Sequence, residues 1–307
     1  MESIKANDDV IRSLNYYCKN YDAILKTLVA TKNRLAHINQ EESIKHNKIV
    51  KDLESIKDRL SRDIIKELEY WPIYTEWLKA VPGIGSFVSG NLVLLYYYKF
   101  VAICSDCGTD VIKKENGEGN TFFCPTCNRS IKGDGILKTR IDTSKDFSNV
   151  SKWWAYLGEH VIDGKMPKRK AGVASNWSAK GRQVAFQIGE SFNKQALEHP
   201  YKNHLLEVKS KLETVYPEKS KGHRHSMAKM RAVKLFLSHF WHVAREMDGK
   251  STRGVYADVI LEHTGIIPPY YWKDDKNIPI IEVEEELIEV AKPKRKAVKK
   301  VKAVSEV

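Results

Sequence analysis

The chain has 307 residues, 42% of them hydrophobic and 29% charged, with a net charge of +12 and a pI of about 9.2. That is enough apolar material for a sizeable core and enough chain for two modest domains with accessory segments. The longest apolar run, Leu92–Tyr98, falls far short of the ~18 residues of a membrane span, and the polar N-terminus is not that of a signal peptide, so a cytoplasmic, intracellular protein is expected.

Residues 1–71 contain no proline, and the first glycine is Gly83. Such a stretch without breakers predicts long helix. Apolar side chains recur at alternating steps of three and four through Ile11, Leu14, Cys18, Tyr21, Leu25, Leu28 and Leu35. Lys32 and Asn39 interrupt the seam, and Leu53, Ile56, Leu60 and Ile64 resume it. This is coiled-coil spacing. The weak patch at residues 37–47 reads either as a turn between two helices or as a blemish in one. The expectation is that the seam joins chains as a homo-oligomer through the coiled coil; an antiparallel hairpin within the chain is the alternative.

Pro72 opens a second segment, residues 72–100, read as helix, tight turn, helix. Its centre, Val81-Pro82-Gly83-Ile84-Gly85-Ser86-Phe87-Val88-Ser89-Gly90-Asn91-Leu92, has the pattern of a helix–hairpin–helix. The two glycines permit a sharp turn, and the N–H groups opening the next helix can hold a phosphate without reading sequence. Pro82, Gly83, Ile84, Gly85 and Ser86 are therefore candidate nucleic-acid contacts. An ordinary glycine turn between packed helices is the alternative.

Residues 101–141 alternate apolar and polar side chains and carry two cysteine pairs. Cys104-x2-Cys107 is followed after sixteen residues by Cys124-x2-Cys127. Paired thiolates at this spacing suit a closed, tetrahedral, structural zinc site. Gly108 and Pro125 stand where the two knuckles turn, and the whole reads as an inserted zinc ribbon. A site with four sulfurs leaves no open position for water, so catalysis by this metal is not expected. Five cysteines, four of them paired in this way, argue for a reducing compartment rather than a disulfide framework.

Residues 142–272 read as mainly helical. Within them Lys165, Lys168, Arg169, Lys170, Trp177, Lys180 and Arg182 form a basic stretch, kept partly loop-like by Pro167, Gly172 and Gly181. Cations position a nucleic-acid backbone and an indole can stack on a base; the alternative is a solvated loop with Trp177 in the core. The histidines His223, His225, His239 and His242 are better read as surface or packed groups than as ligands. Asp142, Asp146, Glu159, Asp163 and Glu190 show no spacing that singles out a nuclease set. Met227–Met247 is an amphipathic helix, with Gly249 as its stop. Residues 273–307 are a charged tail. Seven cations lie between Lys292 and Lys302, so residues 1–291 carry only +6 of the total. A basic balance favours a polyanionic partner, because cations set against phosphates release condensed counterions. DNA is the expected partner, with RNA as an alternative.

The order of these pieces resembles the C-terminal half of transposases of the 110/116/902 group of insertion sequences. Ser13–Leu68 is similar to that family's coil, and Val81–Leu92 to its helix–hairpin–helix. Phe147 through Tyr156-Leu157-Gly158 resembles its aromatic segment, Trp177-Ser178-Ala179-Lys180-Gly181-Arg182 its Lys-Gly turn, and Met227–Met247 its closing helix. The resemblance implies DNA recombination chemistry with a serine nucleophile. Two departures count against catalysis by this chain. No nuclease-like domain with four metal-binding carboxylates precedes the coil. Where the family has its serine, this sequence has Asp163-Gly164, and Ser175 and Ser178 are the serines within reach. The expectation is a mainly α protein that is transposase-like, binds DNA and is non-catalytic on its own, with Asp163, Ser175 and Ser178 as catalytic candidates. The alternatives are an active recombinase subunit, with or without a guide RNA, and a structural scaffold.

Overall fold

A computed structural model of the chain describes residues 7–38, 40–113, 121–132, 138–162, 164–170, 173, 175–252 and 267–271. The basic tail and Asp163 lie outside the described residues. Helix α1 spans Asp8–Leu35. Asn7 caps its N-terminus, Asp8 and Asp9 occupy the first turn and Lys32 and Arg34 the last. These charges complement the helix dipole at both ends. The chain turns at residues 36–38, and α2, Gln40–Leu68, runs back along α1. The turn falls at the start of the weak patch, residues 40–47 of which belong to α2, and α1 and α2 pair within the chain. Lys32, a gap in the seam, forms an ion pair with Glu54 at 2.6 Å. Ile11, Leu14, Cys18 and Leu28 are buried on α1, and Leu60, Ile64 and Leu68 on α2. Tyr21, expected on the same seam, instead stacks on Phe87 with ring centroids 4.7 Å apart.

After Pro72 a single regular helix is expected, but Ile73–Trp77 winds as a π-helix and Leu78–Ala80 as a 3₁₀ turn. Eight residues are too few to hold α-helical winding alone, so the side chains they bury decide it. Ile73, Tyr74, Trp77 and Leu78 are all buried, and Trp77 stacks on Phe236. Helix α3, Ser86–Tyr97, follows the glycine turn. It is apolar on every side, the composition of a helix enclosed by its neighbours. Its Gly90 lets α1 and α2 approach, because a Cβ there would meet Cys18 Sγ at 2.7 Å and Ile64 and Leu14 at 3.3 Å.

Strand β1, Lys99–Ile103, leaves α3 directly and pairs antiparallel with β5, Lys138–Asp142. This two-stranded stem carries a small antiparallel sheet of β2 (Ile112–Lys113), β3 (Thr121–Cys124) and β4 (Arg129–Lys132). Arg12 of α1 donates to the Thr139 carbonyl at 2.8 Å and so ties the stem to the helices.

Helices α4 (Val150–Tyr156), α5 (Ala179–Lys194), α6 (Pro200–Val215) and α7 (Lys221–Met247) complete the fold. One hydrophobic core runs from Ile11 and Leu14 through Trp77, Leu92 and Trp153 to Ile188, Phe236 and Phe240. A smaller cluster, Leu205, Val208, Leu212, Ala228 and Ala232, joins α6 to α7. Helix α7 starts six residues before the amphipathic stretch read from sequence and ends with it at Met247, two residues ahead of Gly249, whose N–H donates to the Glu246 carbonyl at 3.0 Å. Among the described residues no helix is long and apolar enough to cross a membrane.

Candidate functional site

The sulfur atoms of Cys104, Cys107, Cys124 and Cys127 all lie within 4.8 Å of one another. Cys104 and Cys127 are 3.9 Å apart, Cys107 and Cys124 3.4 Å. A tetrahedron with metal–sulfur bonds of about 2.3 Å has edges of about 3.8 Å, so the set fits a four-thiolate metal site. Two equivalent turns build it. Gly108 and Asn128 each follow the second cysteine of a pair, and both have positive φ, 73° and 49°. The Gly108 N–H donates to the Cys104 carbonyl at 3.0 Å, and the Cys127 N–H to Cys124 Sγ at 3.4 Å. Arg140 grips Asp110 through two hydrogen bonds of 2.8 and 2.7 Å, locking the first knuckle to the stem. Sequence reading identified the ligands and Gly108 but not Asn128, whose left-handed backbone is the glycine-like feature of the second knuckle. Among the described residues no other set of three or more His, Cys, Asp or Glu side chains converges in this way.

The glycine turn sits between α5, α6 and α3. Gly83 has φ of 85°, and its carbonyl accepts from Ser191 Oγ at 2.6 Å. The Pro82 carbonyl lies 3.0 Å from His199 Nε2. A Cβ on Gly83 would stand 2.7 Å from both Ser191 Oγ and Gln195 Nε2. The glycine at this position therefore makes room for α5. Ile84 is buried in the core. Ser191 and His199 lie more than one hundred residues away in sequence, and no local pattern announces them.

Gly85 is different. It is exposed, nothing lies within 4 Å of where its Cβ would be, and it occupies the N-cap position of α3. Side-chain oxygens of Asn7, Asn149, Ser178 and Ser220 cap α1, α4, α5 and α7, whereas no side chain caps α3 or α6. Its first turn holds no acidic residue. An open cleft lies there, lined by Tyr21, Leu25, Ser61, Gly85, Ser86 and Gln187. The Ser86 and Ser61 hydroxyls are 2.7 Å apart, and Gln187 Oε1 is buried without a hydrogen-bond partner. Lys180 stands over the Phe87 ring at 4.6 Å and pairs with Asp22 at 3.3 Å. Burial lowers the pKa of its ammonium, and the charge of Asp22 partly restores it.

The basic stretch divides in two. Lys165, Lys168, Arg169 and Lys170 are exposed. Trp177 and Arg182 are packing and bridging groups. Trp177 is buried, and Arg182 covers its ring at 4.1 Å. Arg182 also donates to the Pro167 and Gly158 carbonyls. Gly158 packs against the same indole, so near that a Cβ there would lie 2.8 Å from the ring. Beside them Glu159 is buried, and burial pushes its carboxyl up to about 7 against the opposing charges of Arg182 and Lys234.

Ser178 accepts the Gly181 N–H at 3.0 Å as the cap of α5, its N–H donates to the Tyr156 carbonyl at 2.7 Å, and its hydroxyl acts against the burial-raised pKa of the Tyr156 phenol. Lys145 Nζ donates to that phenol at 2.9 Å and to the Leu95 carbonyl at 2.8 Å. Ser175 donates to the Trp177 carbonyl at 3.2 Å. The other carboxylates named from sequence are dispersed: Asp146 pairs with Arg245 at 2.9 Å, and Glu190 pairs with Lys229. His239 is fully buried and shares a 2.7 Å hydrogen bond with Tyr201.

Compared with protein-family models, with curated proteins and with solved structures, the chain matches none. Its fold and its sulfur cluster define the class by themselves: a mainly helical protein with a four-cysteine cluster compatible with a structural metal.

Proposed function

We propose that this is a DNA-binding protein related to transposases of the 110/116/902 group, non-catalytic on its own, with structural zinc in its four-cysteine ribbon. The observation that carries the binding reading is the uncapped N-terminus of α3, opening through exposed Gly85 onto a cleft. Free N–H groups and the positive end of the helix dipole suit a backbone phosphate. The exposed cations Lys165, Lys168, Arg169 and Lys170 supply further phosphate contacts. Such contacts position a duplex and do not read its sequence. RNA has the same backbone chemistry and is the alternative ligand.

Zinc is the metal that four thiolates in a closed tetrahedron favour. Thiolates that must stay reduced to bind it belong in a reducing compartment, which supports an intracellular protein. A second copy of the chain would dock on a face other than the α1–α2 seam, which the chain fills itself. The non-catalytic reading rests on Ser175 and Ser178, both of which are engaged as structural hydrogen-bonding groups.

The test is fluorescence anisotropy with duplex DNA of arbitrary sequence across a salt series. Binding should weaken steeply with salt. Replacing Lys168, Arg169 and Lys170 by Ala should flatten the log–log slope by up to about 0.9 for each phosphate that these side chains neutralise. Absence of any salt-sensitive binding would overturn the reading. Supercoiled plasmid incubated with Mg²⁺ should remain uncut, and nicking abolished by Ser178→Ala would establish the recombinase alternative.

A further inference from the structure

The α6–α7 pair carries a cationic face that sequence reading did not single out. Tyr201, Leu205, Val208 and Leu212 of α6 are buried, several of them against Ala228 and Ala232 of α7. This register leaves Lys202 and Lys209, seven residues or two turns apart, together on one flank of α6. His225 and Lys229, one turn apart on α7, flank the same seam. The charges acting on the His225 ring agree with the grouping: Lys229, Lys209 and Lys202 oppose its protonation, and Glu190 of α5 favours it. Glu190 is held by Lys229, and Lys202 donates to the Asn193 carbonyl. Among the described residues Lys209 has no ion-pair partner. Glu190 also stands one turn beyond Gln187, which lines the cleft at the start of α3. Helix α5 therefore joins the two surfaces.

We propose that Lys202, Lys209, His225 and Lys229 form a second phosphate-binding surface, which takes the nucleic-acid backbone onward from the α3 N-terminus across α5. This rests on the nucleic-acid reading above and extends it to a histidine. Three lysines and one histidine against a single glutamate complement a polyanion. In the free protein, burial and the neighbouring lysines lower the His225 pKa below its ordinary value of 6.5. A bound phosphate adds negative charge beside the ring and raises that pKa again. Binding then takes up a proton, and affinity increases as pH falls from 7.5 toward 6.

The experiment uses the full-length protein and a duplex DNA of arbitrary sequence. In the first arm, Lys202→Gln/Lys209→Gln is compared with wild type by anisotropy over a KCl series. The slope of log affinity against log salt should fall by about 1.8, two phosphate contacts at about 0.9 each. In the second arm, the His225 pKa of the wild-type protein is measured by NMR without DNA and with saturating DNA. It should rise on binding, and His225→Gln should lose the affinity gain between pH 7.5 and 6. Wild type that binds DNA with an unchanged double-mutant slope and an unmoved His225 pKa would overturn this surface and leave the α3 site standing. Wild type that binds no DNA would overturn both. A double mutant that fails to fold, seen by circular dichroism, transfers the decision to the wild-type NMR arm.

Discussion

The Cβ that Gly90 lacks would stand 2.7 Å from the sulfur of Cys18. That close approach joins α3 to α1 at the centre of the core, with Leu14 and Ile64 closing around it. It explains why the seam of the N-terminal helical pair includes a small sulfur at position 18, where a leucine would keep the pattern but fill the space. Burial pushes the Cys18 thiol up to about 12, so it is an inert packing group at neutral pH.

Gly90→Ala should destabilise the protein. Overpacking costs about 1–3 kcal/mol, and the better helix propensity of alanine returns about 1 kcal/mol of it. Cys18→Ala in the same chain should relieve part of the loss by vacating the space. Urea unfolding of the two single mutants and the double mutant gives the coupling directly; strictly additive effects would show that the two positions do not collide.

The two glycines of the turn should respond differently. Gly83→Ala forces a non-glycine residue into left-handed backbone and drives a methyl toward Ser191 and Gln195. A loss of about 1–2 kcal/mol is expected from the backbone alone. Gly85→Val meets open space at an ordinary φ of −79°. It should still fold, with a loss of about 1 kcal/mol because valine is a poorer N-cap than glycine, and weaken binding to all DNA sequences alike. Thermal unfolding beside anisotropy separates these outcomes, and full affinity in a folded Gly85→Val protein would remove this residue from the interface.

The purified protein should hold about one equivalent of zinc per chain, measured by mass spectrometry of the metal. Cys124→Ser should abolish this and unfold the ribbon locally, because three sulfurs cannot close the tetrahedron. The stem and the helices have their own packing, so the far-ultraviolet helical signal should persist. Loss of all helical structure would mean that the metal site supports the whole core.

Stability should fall as pH rises from about 4 to about 7, on account of Glu159. Burial raises its folded-state pKa to about 7, partly opposed by Arg182 and Lys234. The unfolded value is about 4.3, so folding takes up a proton between the two. The stabilisation is fully present below about pH 4 and is lost as pH climbs through 7. Glu159→Gln removes this dependence. Relative to wild type, the variant should gain roughly 2–3 kcal/mol between pH 4.5 and pH 8.5. Urea midpoints at the two pH values check it, and equal differences at both would place the titration elsewhere.

What the amino-acid sequence determined by itself is whatever depends on near neighbours. The absence of breakers over residues 1–71, the cysteine pairs and the stop at Gly249 are local signals, and each has its counterpart in the structure. The glycine turn was legible as a turn for the same reason. Contacts between distant segments were not legible, because side-chain spacing carries no information about what stands opposite. Only the tertiary structure separates Gly83, which makes room for Ser191 and Gln195, from Gly85, which faces open space. It alone turns Trp177 inward under Arg182, where a basic, aromatic loop in sequence suggested stacking on a base. It alone assembles Lys202, Lys209, His225 and Lys229, because two helices must pack before their flanks share a surface. Helical periodicity is a property of one segment; burial, and the charge a group feels, are properties of everything that packs around it.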